Sequence, residues 1–180
     1  MKNLFLITFC VSLLYSCTVI EFKTPQPNNV NPLKEFPEEI RGQYLFQYQD
    51  KEAEDSKDTI TIGETYFQQT NSTRIFISDS LILKKTNNYY YYNGKSHNEQ
   101  NWAVAIIELK ENKNLMVYSL FNEEDEDSFI KQINLITTVL EIENLGKAKS
   151  FSINPTPQEL SILINEKLFK PFIELKKLQE

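Results

Sequence analysis

The chain has 180 residues, a formal charge of −6 and 41% apolar residues, enough for one domain of ordinary size with its own core. Its lysines are dispersed among acids, which argues against nucleic acid, since a phosphate backbone calls for clustered Lys and Arg. Nine Tyr and twelve Phe, many in alternating runs, favour sheet over helix, and four glycines leave little room for a phosphate-cradling loop.

Met1, Lys2 and Asn3 form a short positive start, followed by an apolar run from Leu4 to Leu14 broken by Thr8 and Ser12. That run is too short to cross a bilayer, which takes ~20 apolar residues, and has the length of a signal-peptide core. Leu14-Tyr15-Ser16-Cys17 resembles the lipobox of bacterial lipoproteins: a branched apolar residue, then a small residue directly before cysteine. Tyr15 is bulkier than the usual residue there. The resemblance implies a signal peptide over 1–16, cleavage before Cys17, a diacylglyceryl group on its sulfur, and a fatty acid such as palmitate on its freed amine. Two or three acyl chains anchor firmly, because each buried CH₂ contributes ~0.8 kcal/mol. Cys10 leaves with the signal, so the mature chain would carry one cysteine, at its first position. The alternatives are an ordinary secreted protein with an incidental cysteine or an uncleaved anchor helix; an exported domain without a disulfide and with one terminal thiol weighs against the first. Thr18 after the cysteine, rather than Asp, resembles lipoproteins sorted to an outer membrane. With Glu21 as the one acid from Thr18 to Lys23, a periplasm-facing domain is expected.

Residues 17–37 carry Pro25, Pro27, Pro32 and Pro37 with Asn28, Asn29 and Asn31, which predicts a semi-extended tether ahead of a globular domain over 38–180. From Gln43 the apolar period becomes two. Candidate strands follow at Gln43–Tyr48, Thr59–Ile62, Tyr66–Gln69, Arg74–Ser78, Ser80–Lys84, Tyr89–Tyr92, Trp102–Leu109 and Leu115–Phe121. Loops rich in Asn, Asp, Gly and Lys separate them, the pattern of an antiparallel meander. The segment Trp102–Leu109 is apolar on both faces and predicts a central strand.

The last third changes character. Ser128–Leu135 has helical spacing after a run of acids, and Val139–Ile142 with Lys149–Ile153 predicts a hairpin. Thr156-Pro157-Gln158-Glu159 is a capping box with proline at the first helical position, and Leu160, Leu163, Ile164 and Leu168 form the apolar stripe behind it. Pro171 is expected to end that helix, with Phe172–Leu178 as a closing strand or short helix. The predicted class is α+β: a mostly antiparallel meander, as a sheet or partly closed barrel, with one or two C-terminal helices packed on it. The lipobox, Phe36 to Tyr44, the meander with Trp102 and the Asn154 to Leu160 helix start resemble small envelope lipoproteins of unassigned function. Gly42-Gln43-Tyr44 entering a meander also resembles lipocalin-type β proteins, which implies a small-molecule cavity.

Four stretches are candidates for chemistry. The single histidine, His97, lies in a polar turn; without a second histidine or a free cysteine, a His- or Cys-ligated zinc site cannot be assembled. Gly94-Lys95-Ser96 copies the end of a P-loop, but Tyr89 stands where its first glycine belongs, and Asn93-Gly94 predicts a hairpin turn instead. Glu123 to Asp127 is an acidic run without EF-hand spacing, expected to start a helix rather than hold calcium. Tyr89-Tyr90-Tyr91-Tyr92 is the most unusual run. On a strand its rings alternate, so one pair is expected in the core and the other near solvent, where with Trp102 it would form a contact surface. The competing expectation is plain cross-strand packing under helices. Catalytic residues, metals and cofactors are not expected. The functional expectation is a lipid-anchored, non-catalytic envelope protein whose β-rich domain binds a small ligand or an envelope partner. An assembly lipoprotein docking a membrane complex is the alternative, and a hydrolytic enzyme the third.

Overall fold

The computed structural model describes residues 19–48, 58–96, 100–121, 125–142 and 150–178. Among these residues, twelve strands form one branched sheet. Nine run antiparallel: β6 (Leu81–Thr86), β7 (Tyr89–Lys95), β8 (Trp102–Leu109), β9 (Leu115–Leu120), β12 (Phe169–Lys177), β2 (Gly42–Tyr48), β3 (Thr59–Ile62), β4 (Tyr66–Gln69) and β5 (Ile75–Phe76), in that spatial order. The branch consists of β1 (Val19–Phe22), β11 (Ser150–Ile153) and β10 (Val139–Ile142). It joins β8 where Phe22 faces Trp102, just past the end of the β8–β9 ladder, and β1 runs parallel to β11. The α+β class follows, with a sheet that curls without closing and two short helices, α1 (Glu126–Asn134) and α2 (Pro157–Asn165).

The period-two pattern explains both cores. Along β7, Tyr91 joins a core with Phe22, Trp102, Ile106, Phe129 and Leu163, the face covered by α1 and α2. Tyr90 joins the opposite core with Phe36, Ile40, Tyr44, Leu83, Leu115 and Leu175, where the sheet curls onto itself. β8 is hydrogen-bonded on both edges, by β7 and β9, and packs on both faces, with Trp102, Val104 and Ile106 in the helix-side core and Ile107 and Leu109 against the other, as its continuous apolar run predicts.

Three expectations are corrected. Over residues 19–37 there is no free tether. Strand β1 lies in the sheet, and Gln26, Pro27 and Phe36 are buried. The segment after β1 crosses β6 and β7 on the helix side. There the Asn93 side chain accepts from Gln26 N at 2.6 Å and donates to Gln26 O at 3.0 Å. Lys84 Nζ, almost wholly buried, donates to the carbonyls of Pro25 and Pro27 at 2.9 and 2.8 Å. Leu33 then pairs with Leu83 on the edge of β6, and Phe36 N donates to Glu64 O, so the segment wraps from one face to the other. Prolines that cannot join a ladder are held by side chains acting as ladder partners. Cys17 and the expected signal peptide lie outside the described residues.

Asn93-Gly94 is not a turn but part of β7, where Asn93 is fully buried. The hairpin turns at Asn87-Asn88 instead, with Asn87 at φ 51°, a region asparagine tolerates. Pro171 does not end α2 either. The helix ends at Asn165, and Pro171 lies inside β12, beside a register shift against β9. A bulge is where a strand accepts proline. The helix starts as predicted: Thr156 Oγ1 accepts from Glu159 N while Glu159 Oε2 accepts from Thr156 N. The acidic run also starts α1, through Asp125 Oδ1 accepting from Ser128 N. Glu123, Glu124 and His97 lie outside the described residues.

Candidate functional site

The tyrosine run alternates between faces, but its burial does not. Tyr90 and Tyr91 are 2% and 3% exposed, one on each face, while Tyr89 and Tyr92 are half-buried at other points. No solvent-facing pair exists, because helices cover one face and the curled sheet covers the other. Tyr92 meets Phe67 edge-on at 5.8 Å. Trp102 is buried, with Lys95 Nζ 4.3 Å above its ring. The surface expected from Tyr89, Tyr90, Tyr91, Tyr92 and Trp102 is therefore dispersed by the fold.

Tyr89 alone of these five lines a cavity of about 480 Å³. Its floor is the helix-side face of the sheet, where Ile106 of β8 faces Tyr118 of β9 and Phe169 begins β12. Ile164 of α2 and Pro171 form the wall, and Asn165, Lys167 and Lys170 the rim. The volume lies in the range typical of small-ligand sites, ~300–1,000 Å³.

The rim is shaped by how α2 stops. Leu168 N donates to Leu163 O at 3.1 Å and Lys167 N to Ile164 O at 3.0 Å, the paired bonds of a Schellman motif. Lys167 occupies its left-handed position at φ 56°, where glycine is the common residue. The reversal sends the chain straight into β12, so that Lys167 borders the cavity, while the β12 register turns the Lys170 side chain to the face opposite Phe169 and Pro171.

Tyr118 extends from the floor into a polar cluster. Its hydroxyl donates to Glu108 Oε2 at 2.7 Å, and Lys110 Nζ donates to the same oxygen at 2.6 Å. Burial pushes the Glu108 carboxyl up, but the bonds from Lys110 and Tyr118 outweigh it and hold it below the usual carboxylate range. Burial and the bond to Glu108 raise the Tyr118 phenol, and Glu108 raises the Lys110 ammonium. A similar cluster stands on the other side of the sheet. Tyr90 Oη donates to Glu39 Oε1 at 2.6 Å and Lys85 Nζ does so at 2.9 Å, lowering Glu39 to about 2. In both clusters every shift moves away from neutrality. Such groups keep one protonation state near pH 7, which suits fixed recognition and structure rather than proton transfer. Among the described residues, no group of three His, Cys, Asp or Glu side chains is placed to hold a metal.

No protein-family model matches the chain, and no curated protein or solved structure matches it.

Sequence reasoning missed Tyr118, Ile164, Lys167 and Lys170. One signal was present: the apolar stripe of α2 runs into Asn165-Glu166-Lys167 with no glycine to close the helix.

Proposed function

We propose that this chain is a lipid-anchored envelope protein whose β-rich domain binds a small ligand, without catalysing its reaction, in the cavity between β7, β8, β9, β12 and α2. The observation that carries the reading is the cavity itself: an aromatic and aliphatic floor with a few polar groups at one rim, a common composition for a small-molecule site. The anchor rests on the lipobox at Cys17. With β1 starting at Val19, lipid on Cys17 leaves Thr18 as the single intervening residue. At most ~3.6 Å per residue, that reach holds the domain against the headgroups rather than away from them.

A fluorescence titration of the mature protein with N-phenyl-1-naphthylamine, a neutral apolar probe, tests the cavity. Saturable binding that Ile164→Trp abolishes is the expected result, because the larger ring fills the space above Tyr118. No saturable binding to the wild type, or equal binding to the variant, overturns the reading.

Partner docking is a second reading with one observation in its favour. Ile75 and Phe76 on β5, which ends the strand order among the described residues, are 40% and 52% exposed. If docking is the function, Phe76→Lys abolishes co-purification of a stoichiometric envelope partner while leaving probe binding intact.

A further inference from the structure

We infer that Asn93-Gly94 is a self-modification site that the fold keeps shut: the Gly94 nitrogen converts the Asn93 amide to a succinimide in a chain whose β7 has left the sheet, and the product cannot rejoin that sheet.

The pair stands alone in the sequence. The other three glycines follow Arg41, Ile62 and Leu145, so every other asparagine precedes a residue with a Cβ. That Cβ obstructs attack by the following backbone nitrogen, whereas glycine allows the close approach. In the reaction the Gly94 nitrogen attacks the carbonyl carbon of the Asn93 side chain and a C–N bond forms. The amide nitrogen leaves as ammonia, taking the proton that the Gly94 nitrogen gives up. Water then adds to one of the two ring carbonyls and reopens the ring, to aspartate by one route and to iso-aspartate by the other. Water is the one co-reactant.

Three features of the folded chain block these steps. First, Asn93 pairs with Ile82 of β6 and Val104 of β8, and Gly94 with Leu81 and Ala103. Extended backbone turns the Asn93 side chain onto the sheet face, away from the next nitrogen, so the five-membered ring closes only when ψ leaves the strand range. That rotation breaks the pairing on both edges. Second, the amide itself is held. Its oxygen accepts from Gln26 N, and its nitrogen donates to the carbonyls of Gln26, Ile82 and Tyr91. Third, Asn93 is fully buried, so the water needed to open the ring is excluded.

Neither product fits the place the asparagine leaves. Aspartate keeps the acceptor but lacks the amide donor of three bonds, leaving buried carbonyls without partners. Iso-aspartate lengthens the backbone by one methylene in the middle of a strand paired on both edges, which breaks the register beyond it. The pair is therefore a one-way record of lost structure: a chain that stays open long enough leaves the folded pool for good.

The test follows modification of the mature protein at mildly alkaline pH, by mass spectrometry of the peptide that holds residue 93. The chain unfolded in guanidinium chloride should react at least about a hundredfold faster than the folded chain, since a strand paired on both edges opens rarely. Below the midpoint, the rate should climb with denaturant in step with the unfolded fraction seen by circular dichroism. Gly94→Ala should slow the unfolded reaction several-fold, a comparison that does not depend on the variant folding. After dilution from denaturant, unmodified chains should regain protease resistance and modified chains should not. A smaller ratio of the two rates, or an unfolded rate that Gly94→Ala leaves unchanged, overturns the site. Modified chains that refold with the wild-type midpoint overturn the one-way record.

Discussion

Replacing Asn93 by alanine is the sharpest test of how the proline-rich segment is held. The side chain is fully buried and makes four hydrogen bonds, two with the backbone of Gln26 and two with the carbonyls of Ile82 and Tyr91. Alanine leaves the Gln26 N–H and C=O without partners in a site water does not reach. Each orphaned buried group costs ~1–3 kcal/mol, so a loss of about 3–4 kcal/mol is expected, a large share of the ~5–15 kcal/mol that holds a typical domain. Urea unfolding measures it as a lower midpoint at unchanged slope. Proteolysis should report the same event locally, with new cleavage between Lys23 and Leu33. Lys84→Met removes the other clamp, taking the ammonium donor from the Pro25 carbonyl and leaving the Pro27 carbonyl only the bond from Val30 N at 3.3 Å. Because both side chains hold one segment, the double variant should lose less than the sum of the singles by roughly 1–2 kcal/mol. A loss below about 0.5 kcal/mol for Asn93→Ala, or strict additivity with Lys84→Met, would show that these clamps do not hold the segment.

Three further outcomes are expected. Tyr90→Ala and Tyr91→Ala should each lose ~3–5 kcal/mol in chemical unfolding, and Tyr89→Ala and Tyr92→Ala less, a pattern set by position along β7 rather than by face; a split into 89/91 and 90/92 pairs would refute the two-core account. The Glu39 carboxyl is lowered from 4.5 to about 2, chiefly by the Tyr90 hydroxyl and then by Lys85, so its contribution is present above pH 4.5 and is lost as pH falls toward 2. As Glu39 is largely solvent-exposed, Glu39→Gln should cost at most ~1 kcal/mol at pH 6 and less at pH 2, and a pH-independent cost would contradict the assignment. Metabolic labelling with a fatty-acid probe should mark the wild type and not Cys17→Ala; an unlabelled wild type removes the anchor from the proposed function.

Local chemistry that acts within a few residues was legible before any coordinates. The continuous apolar run of Trp102–Leu109, the strand at Leu115–Leu120, the Thr156 to Glu159 capping box and the Val139–Ile142 hairpin partner all follow from side-chain pattern and neighbouring donors. In the proline-rich segment, proline's missing donor argues against a ladder but says nothing of whether a distant side chain supplies the bonds. Gln26 and Asn93 are 67 residues apart, and no local pattern couples them. The same holds for the tyrosine run. The sequence by itself determined that its rings alternate. Only the tertiary structure decided that both faces are covered, since burial depends on what packs above each face and not on the strand. The candidate site is the clearest case: Tyr89, Tyr118 and Lys167 come from β7, β9 and the end of α2, and only strand register and a helix reversal bring them to one cavity.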